Sequence, residues 1–259
     1  MLSDVTECAP VVAIKQEQCS LERAAVTVLA MASTPRTRAR AQTLADITRI
    51  GREHLAADGA AALSLRAVAR DLGVVSSAVY RYVASRDELL TLLVVDGYTE
   101  LGDTVDAAVD AADGPREKFL ALGRTVRQWG LQEPARYALL FGSPVPGYHA
   151  PAEQTTGPGT RVITTLVAVL HSAWQTRRPD VETDPPELAS LHGSFEDIRA
   201  EMEMDLPDGL IALGVMVWAS LFGAISFDVF DQYGATTFAS RDDLFEYQLG
   251  LLTKIAGLE

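Results

Sequence analysis

Residues 76–82 place small, hydroxylated and basic side chains on one short segment of the chain. With helical spacing, the exposed face of this segment consists of Ser77, Ala78, Tyr80, Arg81 and Tyr82. Hydroxyl and guanidinium groups that a short helix presents are suited to hydrogen bonding in the DNA major groove. The chemistry that these residues indicate is therefore recognition of DNA.

The surrounding residues predict the two helices that would position this face. Ala69 is small enough to let two helices cross closely, and Gly73 can adopt the left-handed conformation that ends the first helix. Val79 supplies the apolar contact from the second helix, and three further residues complete the packing: Val68, Leu72 and Val83. Residues 64–86 thus have the spacing of a helix-turn-helix, although a helical hairpin without a nucleic-acid partner has the same spacing.

Three serines stand where helices are expected to begin. Ser64 is expected to cap the first helix and Ser76 the second, because a serine hydroxyl accepts a hydrogen bond from a free backbone N–H. Ser85 and Glu88 have the spacing of a capping box at the start of the next helix.

Residues 40–98 resemble the DNA-binding domain of the TetR family of transcriptional regulators. The resemblance rests on an Ala/Gly-rich end of the first helix, a Leu-Arg-Ala-Val-Ala helix, a Leu-Gly-Val turn and a Tyr-x-Tyr-Val sequence before a basic residue. In this chain these are residues 54–63, 65–69, 72–74, 80–83 and Arg86. Lysine is more common than arginine at the last position, and either residue supplies the positive charge that a phosphate requires.

The resemblance implies which side chains contact DNA. Ser76, Ser77, Ala78 and Arg81 would reach base edges, and Arg81 could donate two hydrogen bonds to guanine O6 and N7, worth ~1–3 kcal/mol of discrimination. Contacts to the DNA backbone and phosphates would come from Ser64, Arg66, Tyr80, Tyr82 and Arg86. Arg70 is equally consistent with a solvated helix face.

The charge is distributed unevenly along the chain. The formal net charge is −13, yet residues 34–90 contain nine arginines and six acidic residues, so this segment carries +3 and the remainder −16. A basic segment on an acidic body would orient the molecule toward DNA by one end. Arg36, Arg38 and Arg40 resemble a flexible arm that enters the minor groove, or else a solubilising tail.

The sequence predicts an extension at residues 1–33, a DNA-binding domain at 34–98 and a ligand-binding and dimerisation domain at 99–259. Residues 24–32 resemble a signal-peptide core, but the preceding residues are acidic, so a disordered or weakly helical extension is expected. Met31 is a plausible alternative start of the protein. Cys8 and Cys19 indicate neither a disulfide framework nor a zinc site.

The larger domain is expected to be entirely helical, so the fold class is all-α: an N-terminal three-helix DNA-binding domain and a larger C-terminal helical domain. Phe119, Leu122, Val126 and Trp129 share one face of a first helix. Helices are expected at residues 115–131, 134–141, 161–177, 209–227 and 241–255, with a Pro/Gly-rich loop at 142–159 and a polar connector at 178–186.

Residues 209–227 carry no charge and are long enough to cross a membrane, but glycines and serines interrupt the segment. A helix buried on all sides is therefore expected rather than a membrane span. Ala219 and Gly223 place two small residues on one face of this helix, which permits close approach of another helix. The last helix is expected to be capped by Ser240 and has a partly apolar stripe. The expected homodimer interface, a four-helix bundle, consists of Ala219, Gly223, Leu244, Gln248, Leu251 and Ile255.

This half of the chain also resembles a ligand domain of the TetR family that usually contains a Trp-x-x-x-His-Gly sequence. Phe222 stands where that histidine is expected, so a polar role at this position is lost. Candidates for a ligand pocket are Trp129, Tyr137, Phe141, Tyr148, His149, Trp174 and Trp218, with Phe195 and Met202 as further ones. Core packing is the simpler explanation for each of them, and the histidines are too scattered for a metal site.

Together these patterns predict a homodimeric, cytoplasmic and nucleoid-associated repressor that binds a palindromic operator and is released by a small molecule. A transcriptional activator of the same fold and a weakly sequence-specific DNA-binding protein are the alternatives. An enzyme is not indicated, because no nucleophile–base pair, phosphate loop or metal cluster is present in the sequence. No cofactor is expected.

Overall fold

The computed structural model describes residues 34–176 and 185–259, and every regular element in these ranges is helical. The ten α-helices are α1 Pro35–Asp58, α2 Leu65–Asp71, α3 Ser76–Tyr80, α4 Arg86–Asp110, α5 Gly114–Gln132, α6 Pro134–Phe141, α7 Ala152–Thr176, α8 His192–Met202, α9 Asp208–Val229 and α10 Arg241–Ile255. Short 3-10 helices lie at Ala60–Ala62 and Pro186–Leu191. The all-α fold class is confirmed for the described part of the chain. The expected extension at 1–33 and most of the connector at 178–186 lie outside these residues.

The chain divides into two compact units, Met1–Ile47 and Thr48–Glu259. The described part of the first unit is the beginning of α1, where the backbone N–H of Thr37 donates to the Thr34 hydroxyl at 3.2 Å. Proline suits the first helical position, because its missing N–H would have no helical partner there. Arg36, Arg38 and Arg40 are therefore helical and exposed, and the expected flexible arm is wrong for these three residues.

In the second unit, the predicted helix-turn-helix packing is present. Gly73 has a φ of +70°, the left-handed conformation that ends α2, and no atom lies within 4 Å of the position that its Cβ would take. Four of the expected packing residues are fully buried, and Leu72 is half-buried; the four are Val68, Ala69, Val79 and Val83. The two short helices are thus held by one shared apolar contact.

The expected helix caps are correct only in part. The backbone N–H of Glu88 donates to the Ser85 hydroxyl at 3.1 Å, which confirms a cap at the start of α4. Ser64 occupies the cap position of α2 without a side-chain hydrogen bond. Ser76 is not a cap, because α3 already includes it and the extended residue before the helix is Val75.

The longest helices form the core of the second unit. The predicted inward face of α5 is confirmed, since Phe119, Leu122, Val126 and Trp129 are all buried. Helix α4 packs against α5, α6 and α7. It also runs through the expected domain boundary at residues 98 and 99, which remains a prediction.

The start of α7 differs from the sequence-based expectation. The helix begins at Ala152 and contains Pro158, so the loop ends eight residues earlier than predicted. The Gly-Pro-Gly segment at 157–159, which was expected to be part of the loop, is helical. In the structure the hydroxyl of Thr155 donates to the Pro151 carbonyl at 2.9 Å, so the first turn is supported by a side chain.

Helix α9 is long and apolar enough to cross a membrane by length and composition alone. Val217, Leu221 and Ile225 are buried in the core of the second unit. Val215 and Phe227 are about half exposed, so the expectation of a helix buried on all sides is wrong for this chain by itself. One side of α9 thus packs in the hydrophobic core, and an apolar stripe on its other side is uncovered in the single chain.

A cluster of ion pairs and hydrogen bonds around a buried arginine connects four helices. Arg136 on α6 is 3% exposed, and its guanidinium donates to Glu100 at 2.7 Å and to Asp96 at 3.1 Å, both on α4. Arg52 on α1 donates to Asp96 at 2.6 Å, and the Trp129 indole donates to Glu100 at 3.1 Å. Burial acts to raise the pKa of Glu100, but hydrogen bonds from Arg136 and Trp129 lower it overall.

Replacing Arg136 by alanine is expected to lower the free energy of unfolding by about 3 kcal/mol, because two carboxylates lose their buried partner. Urea unfolding followed by circular dichroism measures this change. Arg116→Ala is the control: the pair of Arg116 with Glu117 is about half exposed, so its loss should change stability by less than ~1 kcal/mol. Equal stability of the two variants would contradict a structural role for the buried arginine.

Candidate nucleic-acid interface and ligand cavity

The residues predicted to read DNA lie on and just after α3. Ser77, Tyr80 and Arg81 are exposed, and Ser76, Ala78 and Tyr82 are half-buried. Helix α3 ends at Tyr80, so Arg81 occupies its C-cap position and Tyr82 follows the helix. Buried Val79 holds the opposite side of the helix in the core. The hydroxyl and guanidinium groups are therefore accessible for contact with a nucleic acid.

Two valines beside this helix were not among the predicted contacts. Val75, immediately before α3, is 71% exposed and is the most exposed large hydrophobic side chain of the part of the chain that the structure describes. Val74 beside it is 45% exposed. The sequence offered one signal, namely two β-branched residues in a turn between a glycine and two serines, where polar residues are usual.

The surrounding arginines differ in how free they are to contact phosphates. Arg66 is exposed, and Arg70 donates to neighbouring Asp71 at 3.2 Å. Arg86 is half-buried and donates to the Ala60 carbonyl at 2.9 Å and the Ala61 carbonyl at 3.3 Å, so it ties α4 to the preceding 3-10 helix. Ser64 is half-buried. Arg38 and Arg40 belong to the first unit, where they are exposed on α1.

A histidine fastens α1 to α2 near this surface. The His54 Nε2 lies 2.6 Å from a carboxylate oxygen of Asp71. The hydrogen bond with His54 is the main reason that the pKa of Asp71 lies below its usual value. This contact positions α2, and thereby the turn that leads to α3.

Four of the six residues expected at the dimer interface line one shallow apolar groove between α9 and α10, namely Gly223, Gln248, Leu251 and Ile255, and Ala219 and Leu244 do not. Ala219, Leu251 and Ile255 are exposed, and Gly223, Leu244 and Gln248 are half-buried. The groove has a volume of about 450 Å³, and Phe227 and Tyr233, which the sequence-based analysis did not include, also line it. The other face of α10 points inward, with Phe245, Leu249 and Leu252 buried.

The structure does not gather the predicted pocket residues around one cavity. Trp129 and Tyr137 are buried, and the Tyr137 hydroxyl lies 2.9 Å from the Ser226 hydroxyl; burial raises the pKa of Tyr137 to about 12. The Tyr148 hydroxyl lies 3.1 Å from that of Thr91, and Trp218 stacks on Phe222. Three others lie elsewhere: Phe141 beside an open cavity of about 660 Å³, Trp174 half-buried at the core and His149 exposed.

A more enclosed cavity of about 470 Å³ lies between α7, the end of α8 and the first half of α9. Of the sequence-based candidates, only Met202 lines it. Most of the predicted pocket residues are aromatic and pack in or against the core. The cavity is lined instead mainly by aliphatic, threonine and glutamate side chains. Among the described residues no group of His, Cys, Asp and Glu side chains could hold a metal ion.

An ion cluster beside the cavity joins α8 to α9. Asp208 is buried at the start of α9, where Arg199 donates to it at 2.8 Å and His192 Nδ1 lies 2.8 Å away. The hydrogen bond from Arg199 is the main reason that the pKa of Asp208 is lowered, and the hydrogen bond with His192 is the second. The hydrogen bond between His192 and Asp208 also raises the pKa of His192. The cluster fixes the connection at 203–207, one edge of the cavity.

Comparison with known proteins agrees with this arrangement. Residues 119–252 match the family model "Tetracyclin repressor-like, C-terminal domain". The chain is 46% identical over 220 residues to the HTH-type transcriptional regulator Rv1816 of Mycobacterium tuberculosis (strain ATCC 25618 / H37Rv), which covers 84% of this chain and 93% of the relative. The chain belongs to the TetR family of transcriptional regulators.

Solved structures show the same fold. The regulatory protein SCO4313 is 31% identical, with a TM-score of 0.69 over 85% of this chain and 98% of that chain. RolR, solved with its ligand resorcinol, is 17% identical, with a TM-score of 0.50 over 86% of this chain and 97% of that chain. TetR-family regulators are non-enzymatic, cytoplasmic proteins that bind DNA and small molecules and act as dimers.

Proposed function

We propose that this TetR-family protein is a ligand-responsive repressor that binds a palindromic operator as a homodimer and is released by a small molecule. The observation that carries the proposal is the exposed face of α3, held outward by buried Val79 and the left-handed turn at Gly73. Two such faces in a dimer would enter successive major grooves, with half-sites ~34–36 Å apart. The repressor would spend most of its time on the nucleoid.

The residues proposed to contact DNA are assigned by exposure and chemistry. Arg81 and Ser77 are accessible for base edges, and Arg66 is accessible for a phosphate. The hydrogen bonds of Arg86 Nη2 to backbone carbonyls support a positioning role for it, with phosphate contact through Nη1, since Nε is buried.

Arg81→Ala is expected to relax the base preference at one operator position, because a bidentate contact to guanine contributes ~1–3 kcal/mol of discrimination. Selection of bound DNA from a random pool, followed by binding titrations, measures this. Arg66→Ala is the matched control: it should weaken binding uniformly across sequences and reduce the salt dependence. Uniform weakening by Arg81→Ala would instead make Arg81 a phosphate contact.

Failure of the wild-type protein to enrich any sequence would contradict the proposal itself. A weakly specific DNA-binding protein would show similar affinity for all sequences and a steep dependence on salt.

Val75 is proposed to contact the methyl group of a thymine, since an apolar side chain exposed beside α3 matches that group in the major groove. Replacing the thymine by deoxyuracil in the selected operator should weaken wild-type binding by about 0.8 kcal/mol, the value of one buried methyl group. Val75→Ala should be insensitive to that replacement, as a double-mutant cycle would show. If the wild type and Val75→Ala lose the same affinity when each thymine is replaced by deoxyuracil, Val75 has no role in recognition.

Dimerisation is proposed to use the α9–α10 groove. A Cβ at Gly223 would meet no atom within 4 Å, so a larger residue there fits the single chain. Gly223→Glu is therefore expected to give a folded monomer with operator affinity reduced by about a hundredfold, because the two half-sites no longer act together. Light scattering after size-exclusion chromatography measures the mass.

Gly193→Glu is the control for the dimer experiment. Gly193 lies in α8, outside the groove, and a Cβ there would also meet nothing within 4 Å. This variant should remain dimeric and bind the operator normally. If the Gly223→Glu protein also stays dimeric, the interface lies elsewhere.

A further inference from the structure

The cavity between α7, α8 and α9 has one wall with a regular polar strip. Thr156, Thr160 and Thr164 line it at intervals of four residues, which places them along one side of α7 over about 12 Å. The Thr160 hydroxyl donates to the Thr156 carbonyl at 2.9 Å, and the Thr164 hydroxyl donates to the Thr160 carbonyl at 3.0 Å. Because these hydroxyls have already used their protons, they offer only acceptor lone pairs to a ligand.

The other walls are mainly aliphatic. Leu206, Leu210 and Ile211 come from the start of α9 and the segment before it, and Met202 comes from the end of α8. A volume of about 470 Å³ is within the range of pockets that hold small organic ligands. The cavity is therefore suited to a molecule with a substantial apolar body.

The charge of the lining has one sign. Glu201 and Glu203, both solvent-exposed, are the charged side chains among the described residues that line the cavity. The structure gives neither of them an ion pair or a side-chain hydrogen bond with another described residue. Arg199, the nearby cation on α8, donates instead to the Leu206 carbonyl and to Asp208, both at 2.8 Å. An anionic ligand would meet two carboxylates here and no described compensating charge.

The backbone at one of these carboxylates is unusual. Glu203 has a φ of 53° in the left-handed region, where a residue with a side chain costs roughly 1–2 kcal/mol relative to glycine. A glycine would end α8 at this position more cheaply, so the fold does not require a glutamate there. Replacing Glu203 by glycine is therefore compatible with the fold at this position.

We infer that this cavity binds an amphiphile with an apolar body and a cationic, hydrogen-bond-donating head, which the two glutamates and the threonine strip would hold. The inference deepens the proposed function and rests on it, since this molecule would be the effector that releases the operator. An uncharged hydroxyl head would bind more weakly, and a carboxylate head would be repelled.

Isothermal titration calorimetry on the full-length protein without DNA tests the assignment with three probes that share one alkyl chain: decylammonium and decanoate below their micelle concentrations, and decanol below its solubility limit. Decylammonium is expected to bind about tenfold more tightly than decanol, and decanoate more weakly than either. Propylammonium, which has the head without the body, should bind far more weakly than decylammonium. Tightest binding of decanoate would overturn the assignment.

Two sets of variants locate the site. Glu201→Gln combined with Glu203→Gly should remove the preference for decylammonium over decanol and leave decanol binding unchanged, while the melting temperature is maintained or raised by the glycine. Gly157→Leu should abolish binding of both, because Gly157 lines the cavity and a Cβ there meets no atom within 4 Å. Gly193→Leu, equally open but outside the cavity, is the control.

Unchanged decylammonium binding in the cavity-filling variant would overturn the site. DNA binding is measured separately, by fluorescence anisotropy of the selected operator. Binding of decylammonium with no enrichment of any operator would overturn the proposed repressor function and keep the ligand site. Operator binding that decylammonium does not weaken would overturn the assignment of this ligand class as the effector.

Discussion

The burial of Arg136 is the constraint on which the arrangement of the second unit depends. A buried guanidinium is tolerated only when carboxylates and hydrogen-bond acceptors surround it, and here Asp96 and Glu100 of α4 supply them. The same two carboxylates also receive Arg52 from α1. One set of charges therefore fixes α4 against α6 on one side and against the helix that precedes the helix-turn-helix on the other.

The second half of α4 is attached to the cavity wall in a similar way. Arg161 of α7 pairs with Asp103 and Asp106 of α4, and the Thr165 hydroxyl donates to Asp106 at 3.0 Å. A Cβ at Gly102 would lie 2.7 Å from the Arg161 side chain, so the glycine leaves the room that this side chain needs to lie against α4. A ligand that binds one position of α7 better than another can thereby bias the position of α4, and only by that difference in affinity.

Features that depend on local sequence could be predicted, whereas features that depend on how the helices pack against one another could not. The turn at Gly73, the inward face of α5 and the Ser240 cap follow from spacing and side-chain chemistry, and the structure confirms them. Periodicity cannot tell which apolar residues face a cavity and which the core, so Trp129 and Tyr137 were assigned to a pocket although both pack inside. Family resemblance supplied the regulatory function more directly than any single residue.

The uncharged helix α9 illustrates how composition follows from position. Leu210, Ile211 and Gly214 line the ligand cavity, Val217, Leu221 and Ile225 pack in the core, and Ser220, Gly223 and Phe227 line the groove proposed for the partner subunit. A helix that lines a cavity, a core and the groove proposed for a partner has no side left for solvated charges. With the proposed effector in the cavity and the proposed partner subunit in the groove, both would contact one helix, so effector binding would have a short route to the spacing of the two DNA-reading helices.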